Sequence, residues 1–263
     1  MKIFIPTSGR AENQTTLEHL PESIAQKVVL VVPPEELVEY SINHSWVKIS
    51  APDIPMGIGP ARQWCCEFSS TDNKVLMLDD DLVFATRRDD DPTKFRDATE
   101  DEIVDLFNSI EANLNKFASV GVSTREGGNR DTSNRAYDTR LLRVLAYRTD
   151  ILRDHDIRFD DIPVMEDFYV SLSLLTKGYR NVKLNHMVHN QNGSGMVGGC
   201  SQYRTMDVQA LAAMTLQAKF PSFVTVVQKE TKTAWGGGVR TDVRIGWKKA
   251  LKSAKEMQHV GGR

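Results

Sequence analysis

At 263 residues, with 26% charged and 40% hydrophobic side chains and a formal net charge of -2, the chain is long enough for a sizeable buried core and carries no overall charge that selects a partner. The most apolar run, residues 28–32, stops at Pro33-Pro34, far short of a bilayer span, and the N-terminus has no signal-peptide pattern, which predicts a cytoplasmic protein without a membrane partner. Cys65, Cys66 and Cys200 are odd in number and fit neither a disulfide framework nor a CxxC metal motif, so reduced thiols are expected.

Short β-branched runs alternate with helical patterns, the signature of a parallel sheet with crossover helices. Residues 2–5 give the first strand, followed by the loop Pro6-Thr7-Ser8-Gly9-Arg10, a weakly helical stretch over 15–24 and a second strand over 27–32. Pro34 suits the first turn of the next helix, residues 47–50 form a third strand and, after the Pro- and Gly-rich stretch 51–60, residues 61–68 read as a helix. A fourth strand over 74–78 ends in Asp79-Asp80-Asp81 and is followed by the apolar Leu82-Val83-Phe84. The charge-dense stretch 87–97 reads as an exposed loop, 99–116 as a helix and 117–122 as a strand. Residues 124–140 hold Arg125, Arg130, Arg135 and Arg140 among Gly, Asn, Asp and Ser without an apolar period, which predicts a long mobile loop. Residues 141–147 return to strand character, Thr149 is placed to cap a helix reaching His155, and 166–176 form a helix that Gly178 terminates. Residues 181–185 close the regular part, and no internal repeat is present.

Three adjacent carboxylates between buried strands repel one another unless a cation or water offsets them. A hard cation does so with oxygen ligands, and magnesium is usually held by one or two carboxylates plus substrate phosphates, the arrangement of a nucleotide-diphosphate site. The plainer reading is a solvated Asp-rich turn. In open α/β sheets ligands bind outside the carboxyl ends of the strands, where Ser8-Gly9-Arg10, Asp53 and the Asp triplet all fall. A second acidic pair, Glu166-Asp167, opens a helix, where the macrodipole alone favours it by about 0.3–1 kcal/mol. A carboxylate held there also suits deprotonating or positioning an acceptor hydroxyl. No P-loop and no glycine-rich dinucleotide fingerprint follows the first strand, which leaves ATPase and dehydrogenase readings without support.

In order along the chain, Arg158-Phe159-Asp160, Glu166-Asp167-Phe168, Gly178-Tyr179 and His189 resemble the C-terminal half of a GT-A nucleotide-sugar glycosyltransferase core. The N-terminal half agrees, with Ser8-Gly9-Arg10 in the first loop, residues 57–62 similar to the family's glycine-to-arginine segment and residues 74–81 similar to its strand ending in DxD. The resemblance implies an α/β fold: a GT-A-like, Rossmann-type mixed sheet flanked by helices, in a single domain with a C-terminal extension. Residues 1–190 would form the core, and 191–263 a flexible lid over 191–199 and a basic tail. It also implies roles. Asp81 is the expected metal ligand, joined by Asp79 and His189, with His186 competing for the histidine position. Asp79 and Asp80 contact the nucleotide side, and Ser8, Arg10 and Arg62 face the nucleotide and its phosphates. Asp53 accepts a bond from the base, or is only a turn residue before Pro55. Asp167 is the base, supported by Glu166. The cofactor is Mn2+ or Mg2+, with imidazole the more natural ligand for manganese, and the donor is a UDP-sugar.

Ile5-Pro6-Thr7-Ser8-Gly9-Arg10, Gln14-Thr15-Thr16-Leu17 and Asp80-Asp81-Leu82-Val83-Phe84 are similar to the phage-type TET-associated DNA glycosyltransferases, a family inferred to glycosylate 5-hydroxymethylpyrimidines in DNA. That resemblance implies a bacteriophage DNA-modification enzyme at work in the host cytoplasm on a flipped or unpaired base. Two locally basic regions suit a phosphate backbone: residues 125–148, and the tail with Arg240, Arg244, Lys248, Lys249, Lys252 and Lys255 around Trp235 and Trp247. A solvated lysine face on an amphipathic helix is the plainer reading of the tail. The expected activity is metal-dependent hexosyl or pentosyl transfer to DNA. A polysaccharide or protein acceptor, and a non-catalytic nucleic-acid-binding protein on a degenerate core, stand as alternatives.

Overall fold

Side-chain alternation along the strands decides the layers. In a computed structural model that describes residues 1–69, 71–191, 203–231 and 238–260, the strands β1 (Lys2–Pro6), β2 (Val28–Val31), β4 (Lys74–Leu78) and β9 (Val144–Arg148) each send alternate residues to opposite faces. Phe4, Val29, Val31, Val75, Met77, Leu145 and Tyr147 bury on one face, and Ile3, Ile5, Val28, Leu30, Leu76, Leu78, Val144 and Ala146 on the other. Both faces are therefore covered, as near-continuous apolar strands require.

With β3 (Lys48–Ser50), β5 (Leu82–Arg87), β6 (Phe95–Asp97), β7 (Ser119–Thr124), β8 (Arg135–Tyr137) and β10 (Asn181–Gln191), these strands form one ten-stranded sheet in the order β3-β2-β1-β4-β9-β7-β10-β5-β6, with β8 pairing β10. The first four strands of that order are parallel, and β9 runs antiparallel to both β4 and β7. The mixed sheet flanked by helices is the architecture that the resemblance implied. Helices α4 (Ile58–Phe68), α7 (Thr149–Asp154) and α8 (Glu166–Thr176) cover one face. The other is covered by α1 (Thr15–His19), α2 (Glu22–Ala25), α3 (Leu37–Asn43) and α5 (Glu100–Asn113). A capping box at Thr99 and Glu102 starts α5, and Gly178 ends α8 at a φ of 92°, its N–H and that of Tyr179 closing on Leu175 and Leu174.

Several sequence expectations are corrected. The helical stretch over 15–24 is two helices, because Pro21 has no N–H to continue the first. Phe95–Asp97 returns as a strand against β5 instead of extending a loop. The stretch 124–140 is not a mobile loop: it holds a broken helical turn, α6 (Arg125–Gly128), and then β8. The Arg87 guanidinium organises it, donating to the carbonyls of Gly128 at 2.9 Å, Asp131 at 2.7 Å and Asn185 at 2.8 Å. Thr149 begins α7 without capping it, its buried hydroxyl lacking a partner. Regular structure does not close at 185. β10 continues to Gln191, and α9 (Met206–Lys219), the hairpin of β11 (Val224–Thr231) and β12 (Gly238–Ile245), and α10 (Trp247–Val260) follow. The expected lid at 191–199 lies outside the described residues beyond Gln191, as do Cys200 and Trp235.

α4 is seated by a missing side chain. A Cβ at Gly59 would stand 2.9 Å from the Phe159 carbonyl oxygen and 3.4 Å from the Asp160 Cα. Backbone cannot swing aside as a side chain would, so Gly59→Ala is expected to lower stability by about 1–3 kcal/mol in urea melts despite alanine's better helix propensity. A variant as stable as the parent would show that α4 is not held at this distance.

Candidate active site

The loop after β1 is a lattice of directed hydrogen bonds. Thr7 Oγ1 donates to Asp80 Oδ2 at 2.6 Å and accepts from Gln14 Nε2 at 2.9 Å and from the Tyr40 hydroxyl at 3.0 Å. Tyr40 in turn accepts from the Arg10 N–H at 3.1 Å, and burial pushes its phenol up to about 12. Gln14 also donates to the Arg10 carbonyl, and the Arg10 guanidinium pairs with Asp80 and reaches Asp81 at 3.2 Å. From α1, Thr16 donates through Oγ1 to the Asp79 carbonyl at 2.6 Å and through N–H to the Asp80 carbonyl at 3.0 Å, while its hydroxyl accepts from the Leu82 N–H. The triplet is thus fixed through both its backbone and its side chains. It is not a solvated turn.

Arg62, buried on α4, joins the two acidic segments. Its Nη2 donates to Asp79 Oδ1 at 2.8 Å and its Nη1 to Glu166 Oε1. Burial raises the Asp79 carboxyl to about 7 and also raises Glu166, with Arg62 opposing both shifts. Burial raises Asp80 too, against the Thr7 hydrogen bond and Arg10. Met165, just before Glu166, adopts a left-handed φ of 64°, a conformation that costs a side-chain-bearing residue about 1–2 kcal/mol. That kink lets the Met165 carbonyl receive the Phe168 and Tyr169 N–H groups as α8 begins. Asp167 Oδ1 accepts from the Phe168 N–H at 3.0 Å.

These groups share one cavity of about 720 Å³ at the carboxyl ends of β1, β2 and β4, a volume suited to a nucleotide-sized ligand. Ser8, Arg10, Arg62, the three aspartates, Glu166 and Asp167 all line it. Ser8 is engaged by Glu36, to which its hydroxyl donates at 2.9 Å. Asp53 is exposed and stands outside the wall that its neighbours Pro52 and Ile54 form. His186 and His189 do not line the cavity either.

The expected ligand set of Asp79, Asp81 and His189 is not assembled: the described residues hold no group of three His, Cys, Asp or Glu side chains placed for a metal ion. Strand register is the reason. β10 pairs His189 with Phe84 and Gln191 with Leu82, so Gln191 is the side chain that meets the triplet, its Nε2 lying 2.9 and 3.1 Å from the two oxygens of Asp81. His189 sits deeper on the same strand, fully buried. Burial, with Arg143 nearby, depresses its pKa to about 3; the Leu142 and Val122 backbone favours protonation slightly, yet neither ring nitrogen reaches hydrogen-bonding geometry. Asp81 alone among the three aspartates shares its charge with only a neutral amide and the longer reach of Arg10, and it fits a cation that takes one or two protein carboxylates beside its phosphates.

Other residues contribute to the cavity. Arg140 and Arg143, which the sequence marked only as part of the basic stretch 125–148, enter it from the segment before β9, and Tyr203, without any sequence signal, lines it while accepting the Ile58 N–H at 2.8 Å. Thr7, Gln14 and Thr16 were marked only as members of the segments that carry the family resemblance.

Strand ends together with α4 and α8 thus bring carboxylates and guanidiniums to one cleft. Residues 1–199 match the profile of the TET-Associated Glycosyltransferases, and the chain belongs to that family of glycosyltransferases. No curated protein matches the sequence. Among solved structures it is similar to GalNAc-T7 with UDP, GalNAc and Mn2+, at 10% identity and a TM-score of 0.47 over 72% of this chain and 43% of that one, so it spans less than half of that protein. It is also similar to a cytidylyltransferase from Leptospira borgpetersenii serovar Hardjo-bovis, at 11% identity and a TM-score of 0.42 over 99% and 96% of the two chains. Among the described residues no helix is long and apolar enough to cross a membrane.

Removing Arg62 tests the tie between the acidic segments. Burial pushes the Asp79 carboxyl from an ordinary 3.8 up to about 7 in the fold, so its contribution to stability is full below 3.8 and is lost as pH rises through 7. Arg62→Met takes the guanidinium from the buried Glu166 and the half-buried Asp79 and deepens that loss. The expected cost is about 3–5 kcal/mol at high pH, and the drop in melting temperature should be larger at about pH 8 than at about pH 5. An equal drop at both would show that Arg62 does not compensate these charges.

Proposed function

We propose that this enzyme transfers a sugar from a uridine-diphosphate sugar to the hydroxymethyl group of a modified pyrimidine in DNA, aided by Mn2+ or Mg2+ at Asp81. The observation that carries the reading is the convergence of the Asp triplet and of Glu166 and Asp167 on one cavity from different elements. A cation held there by Asp81 would neutralise charge on the departing diphosphate. Asp167 orients the acceptor hydroxyl and takes its proton as the acceptor oxygen bonds to the anomeric carbon and the bond to the diphosphate breaks. Glu166 and Asp79, held by Arg62, fix the positions from which Asp167 and Asp81 act. Asp80 holds Arg10 at the edge of the diphosphate position, and Ser8 offers its hydroxyl on the same wall. Arg140 and Arg143, which also line the cavity, favour an anionic acceptor. Such an enzyme works in the cytoplasm of a phage-infected host.

The test is sugar transfer from UDP-sugars to DNA carrying 5-hydroxymethylpyrimidines, with unmodified DNA as the blank. Asp167→Asn should lower kcat by about 10²–10⁴, and Asp81→Asn should weaken donor binding in the presence of Mn2+. Chelation should abolish turnover and added Mn2+ restore it. Full activity in either variant sinks that residue's role, and turnover that survives chelation sinks the cation.

A further inference from the structure

The segment beyond the family match, which ends at residue 199, contains a feature the reaction does not use. α10 buries Ala250 and Leu251 in the same core as α8, with Ala254 also buried. Its first residue, Trp247, meets the Phe168 ring edge-on at 5.8 Å between centroids. Phe168 follows Asp167 and lines the cavity, and the Arg140 guanidinium lies over its ring, 4.3 Å from the centroid. α10 therefore begins one aromatic ring away from the cavity lining, and Lys248 is its next residue.

The outer face of that helix is unbalanced. From 247 to 257 it carries Lys248, Lys249, Lys252 and Lys255 against the single acid Glu256, while the whole chain carries -2. Lys248, Lys252 and Lys255 share one ridge about 10 Å long, the axial rise of three base pairs of duplex. Among the described residues Lys248 and Lys255 have no carboxylate partner, and Lys252 has only Glu256 at 3.8 Å, with both side chains exposed. Such a pair contributes little, and like charges one turn apart repel by about 0.2–0.5 kcal/mol per pair. The inner face explains the apolar residues of α10; among the described residues no carboxylate but Glu256 offsets the lysines of the ridge. A polyanion laid along the ridge does.

We infer that the ridge of Lys248, Lys252 and Lys255 on α10 is the docking surface for the phosphate backbone of the DNA acceptor, holding the strand beside the cavity mouth. The inference rests on the acceptor proposed above, and binding of unmodified DNA tests it independently of turnover. The variant is Lys248→Gln/Lys252→Gln/Lys255→Gln in the full chain. Its control is Lys27→Gln/Lys116→Gln, two exposed lysines that precede β2 and β7 and so stand at the far end of the sheet from the cavity. Fluorescence anisotropy with an unmodified oligonucleotide across a salt series reads affinity and salt slope, and thermal melts confirm that both variants are folded. The triple variant should bind at least about tenfold more weakly at low salt, with the slope of log K against log salt shallower by about one per lysine removed. The control should match the parent. Unchanged affinity and slope in the folded triple variant, or an equal loss in the control, would overturn the inference, as would a sulfated polysaccharide competing as well as DNA at equal charge. If the parent glycosylates hydroxymethylated DNA and the triple variant does so with an unchanged KM, only this inference fails. If the parent binds DNA through the ridge but glycosylates none, the acceptor reading fails and the surface stands.

Discussion

The site depends on one guanidinium. Asp79 belongs to a sheet edge and Glu166 to a helix on one face of that sheet, and burial raises both carboxyls. Two such groups do not approach each other in a low-dielectric interior unless a fixed cation lies between them. Arg62 supplies it from a third element, whose position is set by backbone contact at Gly59. An apolar trio in the same space would be no less stable. What the charged version adds is position: the end of β4 and the start of α8 have one mutual arrangement in which both oxygens face the same fork. The left-handed Met165 is what the chain gives up to reach it.

The two sides of the cavity are built differently. On the side of β1 and the Asp triplet, Thr7, Gln14, Thr16 and Tyr40 form hydrogen bonds whose donors and acceptors are nearly all assigned, so that Asp80 and the triplet backbone have little freedom. The rest of the lining draws Arg140 and Arg143 from the approach to β9, where the Arg143 carbonyl accepts the Asp79 N–H at 3.0 Å, and Tyr203 from the segment before α9. An antiparallel strand in the middle of the sheet makes this possible, because β9 begins at the edge where β4 ends. A wholly parallel sheet would have sent that approach to the far end of the molecule.

The helix at Glu166–Thr176, its glycine stop and the strand leading to Asp79 were legible because local pattern and burial agree there. Residues 124–140 were not, because their order comes from Arg87, a side chain distant in sequence whose carbonyl partners carry no side-chain signal. The tail after 185 was misread for a similar reason: its hairpin is held by packing on α9 and α10 by packing on α8, and periodicity does not record a partner. Within the site, the acidic residues and arginines were legible as residue types. Which carboxylate pairs with which arginine was not, because pairing is set by the geometry between elements. The position of His189 shows the same limit: its imidazole was a plausible ligand in one dimension, but strand register placed Gln191 at Asp81 instead.

That register has an origin. From Leu184 to Val188 the chain of β10 advances four residues while its neighbour β7 advances one, from Val122 to Ser123, so three residues bulge out before the strand resumes. Successive side chains of a strand face opposite ways, and an odd bulge exchanges inside for outside. The length of this short stretch is therefore constrained in parity. Gaining one residue there would turn Gln191 away and present Asn190 to Asp81, losing one would also turn Gln191 away, and a change of two would keep the facing and only resize the bulge. Natural variation in this segment should thus come in even steps.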